Sequence, residues 1–141
     1  LIQPLIVEQS TGSASGRVLV GTVAGDIHDI GKNMFGMLLS CHCFEVIDLG
    51  VDVPPDVFAA KVLEVNPDII GLSGLITSSF ETMKETITTL RAQEKKQGLS
   101  FPIIIGGGQT NEQVREYVGA DHWMPDAMAG VRLCEDLVNN L

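Results

Sequence analysis

Short, continuously apolar segments alternate with longer helix-like segments from Arg17 onward, and this alternation limits the fold more than any other feature. The five apolar segments are residues 18–23, 44–49, 68–72, 101–105 and 122–124. Strands with one face in water alternate apolar with polar residues, whereas these segments are apolar at consecutive positions. They therefore predict a parallel sheet whose two faces are both covered by helices.

A segment with helical features follows each of the predicted strands. These segments comprise about residues 29–43, 56–65, 79–97, 111–118 and 126–138. Pro54 and Pro55 suit the start of the second helix, Gly98 suits the end of the third, and Asp29 and Asp126 are expected to cap the first and last helices. Units of this kind joined by right-handed crossovers predict an α/β, flavodoxin-like (Rossmann-like) three-layer sandwich, with a five-stranded parallel sheet in the order 2-1-3-4-5.

The charge balance excludes several classes of partner. The chain of 141 residues holds nine Lys and Arg against eighteen Asp and Glu, for a net charge of −9. Nucleic acids and anionic membrane surfaces attract basic proteins, so neither is expected as a partner. No apolar run approaches the roughly 20 residues of a membrane span. The cysteines Cys41, Cys43 and Cys134 do not suggest a disulfide framework, which favours a reducing cytoplasm.

A stretch rich in serine and glycine, residues 10–16, has the composition of a flexible linker. It predicts a boundary near Arg17, followed by one domain over residues 17–141, which is an ordinary domain length. Residues 1–9 form an apolar piece that is too short to define a fold. Together with the linker they are expected to make a separate N-terminal segment, residues 1–16.

Three unusual loops follow strands 1, 3 and 4 of the predicted sheet. They are residues 25–31, 73–79 and 106–110. Ligands of open α/β sheets bind beyond the carboxyl ends of the strands, where the strand order reverses. In the order 2-1-3-4-5 this point lies between strands 1 and 3, with strand 4 beside them, so the three loops are expected to meet there. The loops after strands 2 and 5 carry nothing comparable.

Each of these loops has a chemical interpretation and an ordinary structural one. His28 can present one ring nitrogen outward while Asp26 holds the other, and the glycines 106–108 let a bulky ligand approach the backbone. The ordinary explanations are a loop hydrogen bond for His28, a helix N-cap for Ser78 or Ser79, and turn chemistry for the glycines. The meeting of all three loops at one edge favours a ligand site.

Other kinds of site are less well supported. The run Cys41-His42-Cys43 resembles a metal motif, but the sequence has no second Cys/His cluster to complete a zinc site. The signature motifs of phosphate-binding loops, of dinucleotide domains and of α/β-hydrolases are absent from the sequence. A phospho-receiver domain shares the topology but needs an Asp at the end of strand 3, where Leu72 and Ser73 stand.

Taken together, the three loops resemble the signature of cobalamin-binding domains. The matching residues are Asp26-x-His28-x-x-Gly31, then Ser73-x-Leu75, then Gly106-Gly107. The wider string over residues 25–33 resembles the methyltransferase branch of these domains, which includes cobalamin-dependent methionine synthase and small corrinoid proteins. The similarity covers nearly everything from Arg17 to the end of the chain.

The resemblance implies a role for each matching residue. His28 would be the lower axial ligand of cobalt, Asp26 would hydrogen-bond its imidazole, and Ser79 would extend that relay. The displaced nucleotide tail of the cofactor would enter a pocket beside the sheet. The residues implied to contact the cofactor are Gly25, Asp26, Ile27, His28, Asp29, Ile30, Gly31, Ser73, Leu75, Thr77, Ser79, Gly106, Gly107, Asp126 and Ala127.

The implied function is that of a corrinoid protein, which carries a methyl group on the cobalt of cobalamin between a donor and an acceptor. Its partners would be donor-specific and acceptor-specific methyltransferase proteins, so whether the chain is itself an enzyme stays open. The alternatives are the cobalamin module of a methionine synthase and a cobalamin-responsive sensor module without catalysis. Members of this branch carry a helical cap before the cobalamin domain. Residues 1–9 resemble its last turns, and the cap would be a further partner.

Overall fold

The computed structural model describes residues 15–140, along which five strands alternate with five helices. The strands are β1 (Arg17–Thr22), β2 (Glu45–Asp48), β3 (Ile69–Ser73), β4 (Ile103–Gly106) and β5 (His122–Trp123). Neighbouring strands pair in parallel, and their order is β2-β1-β3-β4-β5. The predicted sheet and its strand order are therefore confirmed.

Helices cover both faces of this sheet. They are α1 (Ile30–Cys41), α2 (Pro55–Val65), α3 (Ser79–Gln97), α4 (Glu112–Val118) and α5 (Ala127–Asn139). Residues of α1 and α5 share one apolar core with the sheet, and residues of α2, α3 and α4 share a second core with its other face. The molecule is thus the three-layer sandwich that the sequence predicts.

Consecutive strand residues enter different cores, which explains why the strands are apolar at neighbouring positions. In β1, Leu19 packs against α2–α4, whereas Val18 and Val20 pack against α1 and α5. Ile105 and Ile104 of β4 divide between the two cores in the same way. Burying each such side chain contributes about 1.5–3 kcal/mol. This packing fixes the sheet, and with it the edge at which the three loops emerge.

The predicted caps Gly98 and Asp126 are confirmed by their contacts, and Asn111 is found to cap α4. Gly98 ends α3 in the left-handed conformation, at φ 69°. The side chain of Asn111 accepts the N–H of Val114 at 2.9 Å, and that of Asp126 accepts the N–H of Ala129 at 2.8 Å. These side chains satisfy N–H groups that have no partner within the helix.

The expected capping role of Asp29 is wrong, and so is the capping alternative for Ser78. Within residues 15–140, neither side chain accepts a hydrogen bond from the first turn of the helix that follows. Asp29 has ψ −7° and Ser78 has ψ −20°, whereas a capping residue normally has extended backbone. Ser79, the other candidate for this cap, directs its hydroxyl to Asp26 instead.

Most of the predicted N-terminal segment, residues 1–14, lies outside the described part of the chain. The described part begins beside the C-terminal end of α1, where the N–H of Ser15 donates to the carbonyl of Cys43 at 2.7 Å. Within residues 15–140, every helix falls short of the length or the apolar character that a membrane span requires.

The loops after β3 and β4 touch each other at two glycines. The N–H of Gly74 donates to the carbonyl of Gly106 at 3.1 Å. Gly107 has φ 139°, and a Cβ atom there would lie 1.9 Å from the carbonyl oxygen of Gly74. That distance is far inside van der Waals contact, so the close approach of the two loops requires glycine at this position.

Gly107→Ala should therefore lower the free energy of unfolding by about 2–4 kcal/mol, because the loops must separate and the backbone is strained. Urea denaturation measures this change. Gly36→Ala in α1 is the matched control, since its Cβ would lie 3.6 Å from Val46, an ordinary contact. Its better helix propensity should raise stability by up to about 1 kcal/mol. Equal losses in both variants would contradict the steric explanation.

Candidate functional site

The carboxyl ends of β1, β3 and β4 bring the three predicted loops to one edge of the sheet. A cavity of about 220 Å³ lies there, between the sheet edge and the helices α1 and α5. Its walls include Ser73, Gly106, Gly107, Asp126 and Ala127 from the set that the sequence singled out. The residues after β5 thus contribute to the same site as the three loops.

A second, wider depression of about 380 Å³ shares part of its wall with this cavity. The predicted residues that line it are Ile27, His28, Asp29, Ile30, Gly31, Ser73, Leu75 and Gly107. Ile27 is 72% exposed and Ile30 is 79% exposed. Large aliphatic side chains held in solvent beside a histidine suit a large ligand with apolar parts.

The carboxylate of Asp26 joins the loop after β1 to the loop after β3. Asp26 is buried, with 1% exposure. Its Oδ1 accepts the backbone N–H of His28 at 3.0 Å and lies 2.6 Å from Nδ1 of the His28 ring. Its Oδ2 accepts the N–H of Leu75 at 2.7 Å and the hydroxyl of Ser79 at 2.5 Å. One oxygen therefore serves each loop.

His28 is oriented by this carboxylate. Because Nδ1 faces Asp26, the other ring nitrogen, Nε2, faces away from it, and the side chain is 49% exposed. The buried hydroxyl of Thr22 donates to the carbonyl of His28 at 3.0 Å, which fixes the backbone of the loop as well. A proton on Nδ1 leaves a lone pair on Nε2, the arrangement found in histidines that bind metals.

Burial alone would raise the pKa of Asp26. Hydrogen bonds from the Ser79 hydroxyl, from the backbone N–H groups of His28 and Leu75, and from the His28 ring outweigh that effect. They hold the pKa of Asp26 well below its ordinary value of 3.8. The carboxylate is therefore charged at neutral pH and remains an acceptor for all of these donors.

Four predicted residues lie at this edge without lining either cavity. Asp26 and Ser79 are buried behind His28, as the hydrogen bonds above require. Gly25, at φ 86°, directs its N–H to the side chain of Asp52. Thr77 is exposed on the loop that precedes α3. The remaining predicted contact residues line one of the two cavities.

Polar contacts from the loop after β2 were missed by the sequence reasoning, so the expectation that strand 2 carries nothing comparable is wrong. Asp52 Oδ1 accepts the N–H of Gly25 at 2.7 Å. The Nζ atom of Lys32 contacts both carboxylate oxygens of Asp48, at 2.9 Å and 2.7 Å. These pairs are 27 and 16 positions apart and leave no periodic signal. The acidic residues on either side of Gly50 were the one available hint.

Within residues 15–140, no group of three or more His, Cys, Asp or Glu side chains is placed to hold a metal ion. In the run Cys41-His42-Cys43 both cysteines are exposed, and Cys134 is buried. Since His28 offers a single outward nitrogen, a metal bound there needs its other ligands from a group that carries them itself.

The family relation identifies the metal-carrying group that this site would bind. A sequence profile of the B12 binding domain matches residues 16–132 of the chain. The chain belongs to the B12-binding domain family. The cofactor implied by the sequence, cobalamin or a related corrinoid, is thereby confirmed.

Relatives of known structure and curated relatives agree with this assignment. A corrinoid protein of Desulfitobacterium hafniense is 39% identical over 140 residues, covering 98% of this chain and 64% of that protein. The crystal structure of a cobalamin-binding protein from the same species gives a TM-score of 0.80 at 44% identity. The match covers 86% of this chain and 58% of that chain. The crystal structure of the methanol:cobalamin methyltransferase complex of Methanosarcina barkeri gives a TM-score of 0.79 at 26% identity. The match covers 92% of this chain and 48% of that chain. The chain thus spans less than two thirds of the length of these relatives.

The residues at the site fit a corrinoid. A corrin ring carries several ligands of its cobalt itself, so a site that offers one further nitrogen, Nε2 of His28, fits such a group. The exposed side chains of Ile27 and Ile30 can pack against the edge of the ring. The cavity beside Ser73 and Ala127 offers room for a tail that leaves the ring.

Asp26→Asn tests the charge state assigned to the buried carboxylate. Because the pKa of Asp26 is lower in the folded than in the unfolded chain, its charge stabilises the fold fully above about pH 4. That contribution is lost as the pH falls toward the folded pKa. The difference in unfolding free energy between wild type and variant should become about 1 kcal/mol smaller between pH 5 and pH 3. Urea unfolding measures it, and a difference that grows between pH 5 and pH 3 would overturn the assignment.

Proposed function

We propose that the chain is the cofactor-carrying part of a corrinoid protein that passes methyl groups from a donor to an acceptor with separate methyltransferases. The observation that carries this proposal is the hydrogen-bonded series Ser79, Asp26 and His28, which ends at an outward ring nitrogen beside the cavity. When bound, the corrinoid supplies a cobalt centre that accepts and donates the methyl group.

The protein side chains would hold and orient this centre. His28 would bind the cobalt through Nε2, while Asp26 holds the proton on Nδ1. Ser79 donates to the second oxygen of Asp26, so the carboxylate stays fixed and desolvated behind the ring. A proton taken up by the His28 ring would stay within this hydrogen-bonded series, beside the charged carboxylate of Asp26.

The cavity beside the sheet would receive the nucleotide tail of the cofactor. Ser73, Gly106 and Gly107 would line it from the loops after β3 and β4. Asp126 and Ala127 would close it at the start of α5. Leu75, and Thr77 from its exposed position on the same loop, would complete the contacts to the cofactor.

The relatives support this assignment over the module of a methionine synthase. The curated relative is named a corrinoid protein, and one structural relative is part of a methanol:cobalamin methyltransferase complex. A methyltransferase is accordingly the proposed partner on the donor side, and a second one on the acceptor side.

Residues 1–16 are proposed to be the end of a helical cap and its linker. The free thiols of Cys41 and Cys43 are exposed, which supports a cytoplasmic location.

Electron paramagnetic resonance can identify the axial ligand in protein loaded with hydroxocobalamin and reduced to the cobalt(II) form. In protein labelled with ¹⁵N-histidine, ligation by His28 should split each cobalt line into a doublet, whereas the unlabelled benzimidazole of the cofactor gives triplets. His28→Ala should lose the doublets. His42→Ala should keep them, because that ring lies beside Glu135 near the end of α1. Triplets in the wild-type protein would refute the axial role of His28.

Asp26→Asn should alter axial ligation and the cobalt(II)/cobalt(I) potential more than it alters retention of the cofactor. Asparagine removes the charge behind the imidazole, whereas Asp26 does not line the cavity that would hold the tail. The dissociation constant for hydroxocobalamin should stay within about threefold of wild type, equivalent to roughly 0.7 kcal/mol. Visible spectroelectrochemistry and equilibrium binding measure the two quantities. A spectrum unchanged across pH and reduction would rule out the relay.

A sensor module would bind the cofactor without moving methyl groups. Loaded protein reduced with titanium(III) citrate should take one labelled methyl group per bound corrinoid from methyl iodide, with release of iodide. It should pass that label to a thiol acceptor when a corrinoid-dependent methyltransferase is added. Protein that keeps its corrinoid but neither takes up nor discharges the label would point to the sensor function instead.

A further inference from the structure

The loop between β2 and α2 holds the loop of His28 from the side opposite β3. The carbonyl of Gly50 accepts the N–H of Thr22, and the carbonyl of Thr22 accepts the N–H of Val53, both at 2.9 Å. Further along, the N–H of Asp52 donates to the carbonyl of Asp26 at 2.9 Å. The backbone of Asp26 is therefore anchored from β2, while its carboxylate is anchored from β3 and α3.

The side chain of Asp52 adds a contact that backbone pairing does not explain. Its Oδ1 accepts the N–H of Gly25 at 2.7 Å, one residue before Asp26. Asp52 has φ 54°, in the left-handed region, and Gly25 has φ 86°. A non-glycine residue in this region costs free energy, although Asp and Asn tolerate it better than other residues. At Asp52 this conformation accompanies the side-chain contact with the loop of His28.

An ion pair fixes the start of the same loop. The side chain of Lys32, in the first turn of α1, is 3% exposed, and its Nζ atom contacts both oxygens of Asp48 and the Oδ1 of Asn33. The three N–H donors of the ammonium group thus have three acceptors. Asp48 also accepts the N–H of Gly50 at 2.8 Å. At its start, the loop between β2 and α2 contacts α1, the helix that follows His28, through Asp48. Further along, it contacts Gly25, which precedes His28, through Asp52.

We propose that Asp52 is a positioning residue for the axial ligand, which fixes the backbone of Gly25 and Asp26 so that His28 is oriented before the cofactor arrives. This inference rests on the proposed function, in which His28 ligates cobalt. An oriented loop loses little conformational freedom on binding, so the positioning should appear as affinity and as the fraction of His28-ligated cofactor.

Substitutions at Asp52 separate its side chain from its backbone conformation. Asp52→Gly keeps the left-handed backbone and the N–H to Asp26 but removes the acceptor for Gly25. Asp52→Asn keeps an acceptor oxygen and tolerates the left-handed region. Asn66→Gly is the matched control, since Asn66 ends α2 at φ 51°, remote from the site. Asp56→Asn, in the first turn of α2, controls for the loss of one charge.

Amide hydrogen exchange of the protein without cofactor tests the positioning directly. In Asp52→Gly the amides of both Gly25 and His28 should exchange about tenfold faster, whereas Asp52→Asn and both controls should stay close to wild type. Unchanged exchange at His28 would overturn the proposal, whatever the outcome for cobalt ligation.

Loaded protein supplies the second readout. The dissociation constant for hydroxocobalamin should rise about five- to tenfold in Asp52→Gly. The ¹⁵N doublet fraction in the cobalt(II) spectrum should fall with it, and Asp52→Asn should restore both. Faster exchange with unchanged affinity and doublet fraction would show that Asp52 restrains the loop without affecting how His28 binds the cofactor. That result would refute the positioning role. Should wild type show triplets, the proposed function fails, while the exchange data still report on the loop.

Discussion

The buried carboxylate of Asp26 is the interaction on which the rest of the site depends. A charge removed from water is costly unless hydrogen bonds replace its hydration, and here they come from the turn after β1, the loop after β3 and the first residue of α3. Each of these elements has to be in place for the fold to tolerate the charge. The same oxygens orient His28. The hydrogen bonds that compensate the buried charge therefore also set the direction of the imidazole. The stability of the fold and the orientation of His28 depend on the same contacts.

Features that arise from local pattern were predictable from the sequence. Continuous apolar strands indicated the sheet and its covering helices. Gly98 and Asp126 marked helix ends correctly, because the backbone of Gly98 and the side chain of Asp126 make the caps. Asp29 was misjudged because capping depends on a backbone angle that the neighbouring turn imposes. Residue type alone does not reveal that angle.

Contacts between distant parts of the chain were not predictable. The bond from Asp52 to Gly25 and the ion pair of Lys32 with Asp48 join loops that meet only once the sheet is assembled. The rule that ligands bind at the reversal of strand order directed attention to strands 1, 3 and 4. It predicted the edge at which the two cavities lie, but it says nothing about which neighbouring loops support the residues of that edge. Gly107 is a related case, since its lack of a side chain permits the contact with Gly74, which the sequence did not reveal.

The contact of Ser15 with Cys43 sets where the described chain enters the sandwich. That contact lies at the C-terminal end of α1, whereas His28 lies before its N-terminal end, and the 12 residues of the helix span about 18 Å. The described chain therefore enters at the pole opposite the edge that carries His28. The hydrogen bonds that orient His28 come from Asp26 and Thr22 and involve neither Ser15 nor Cys43, so this edge is built without a contribution from the entrance of the chain.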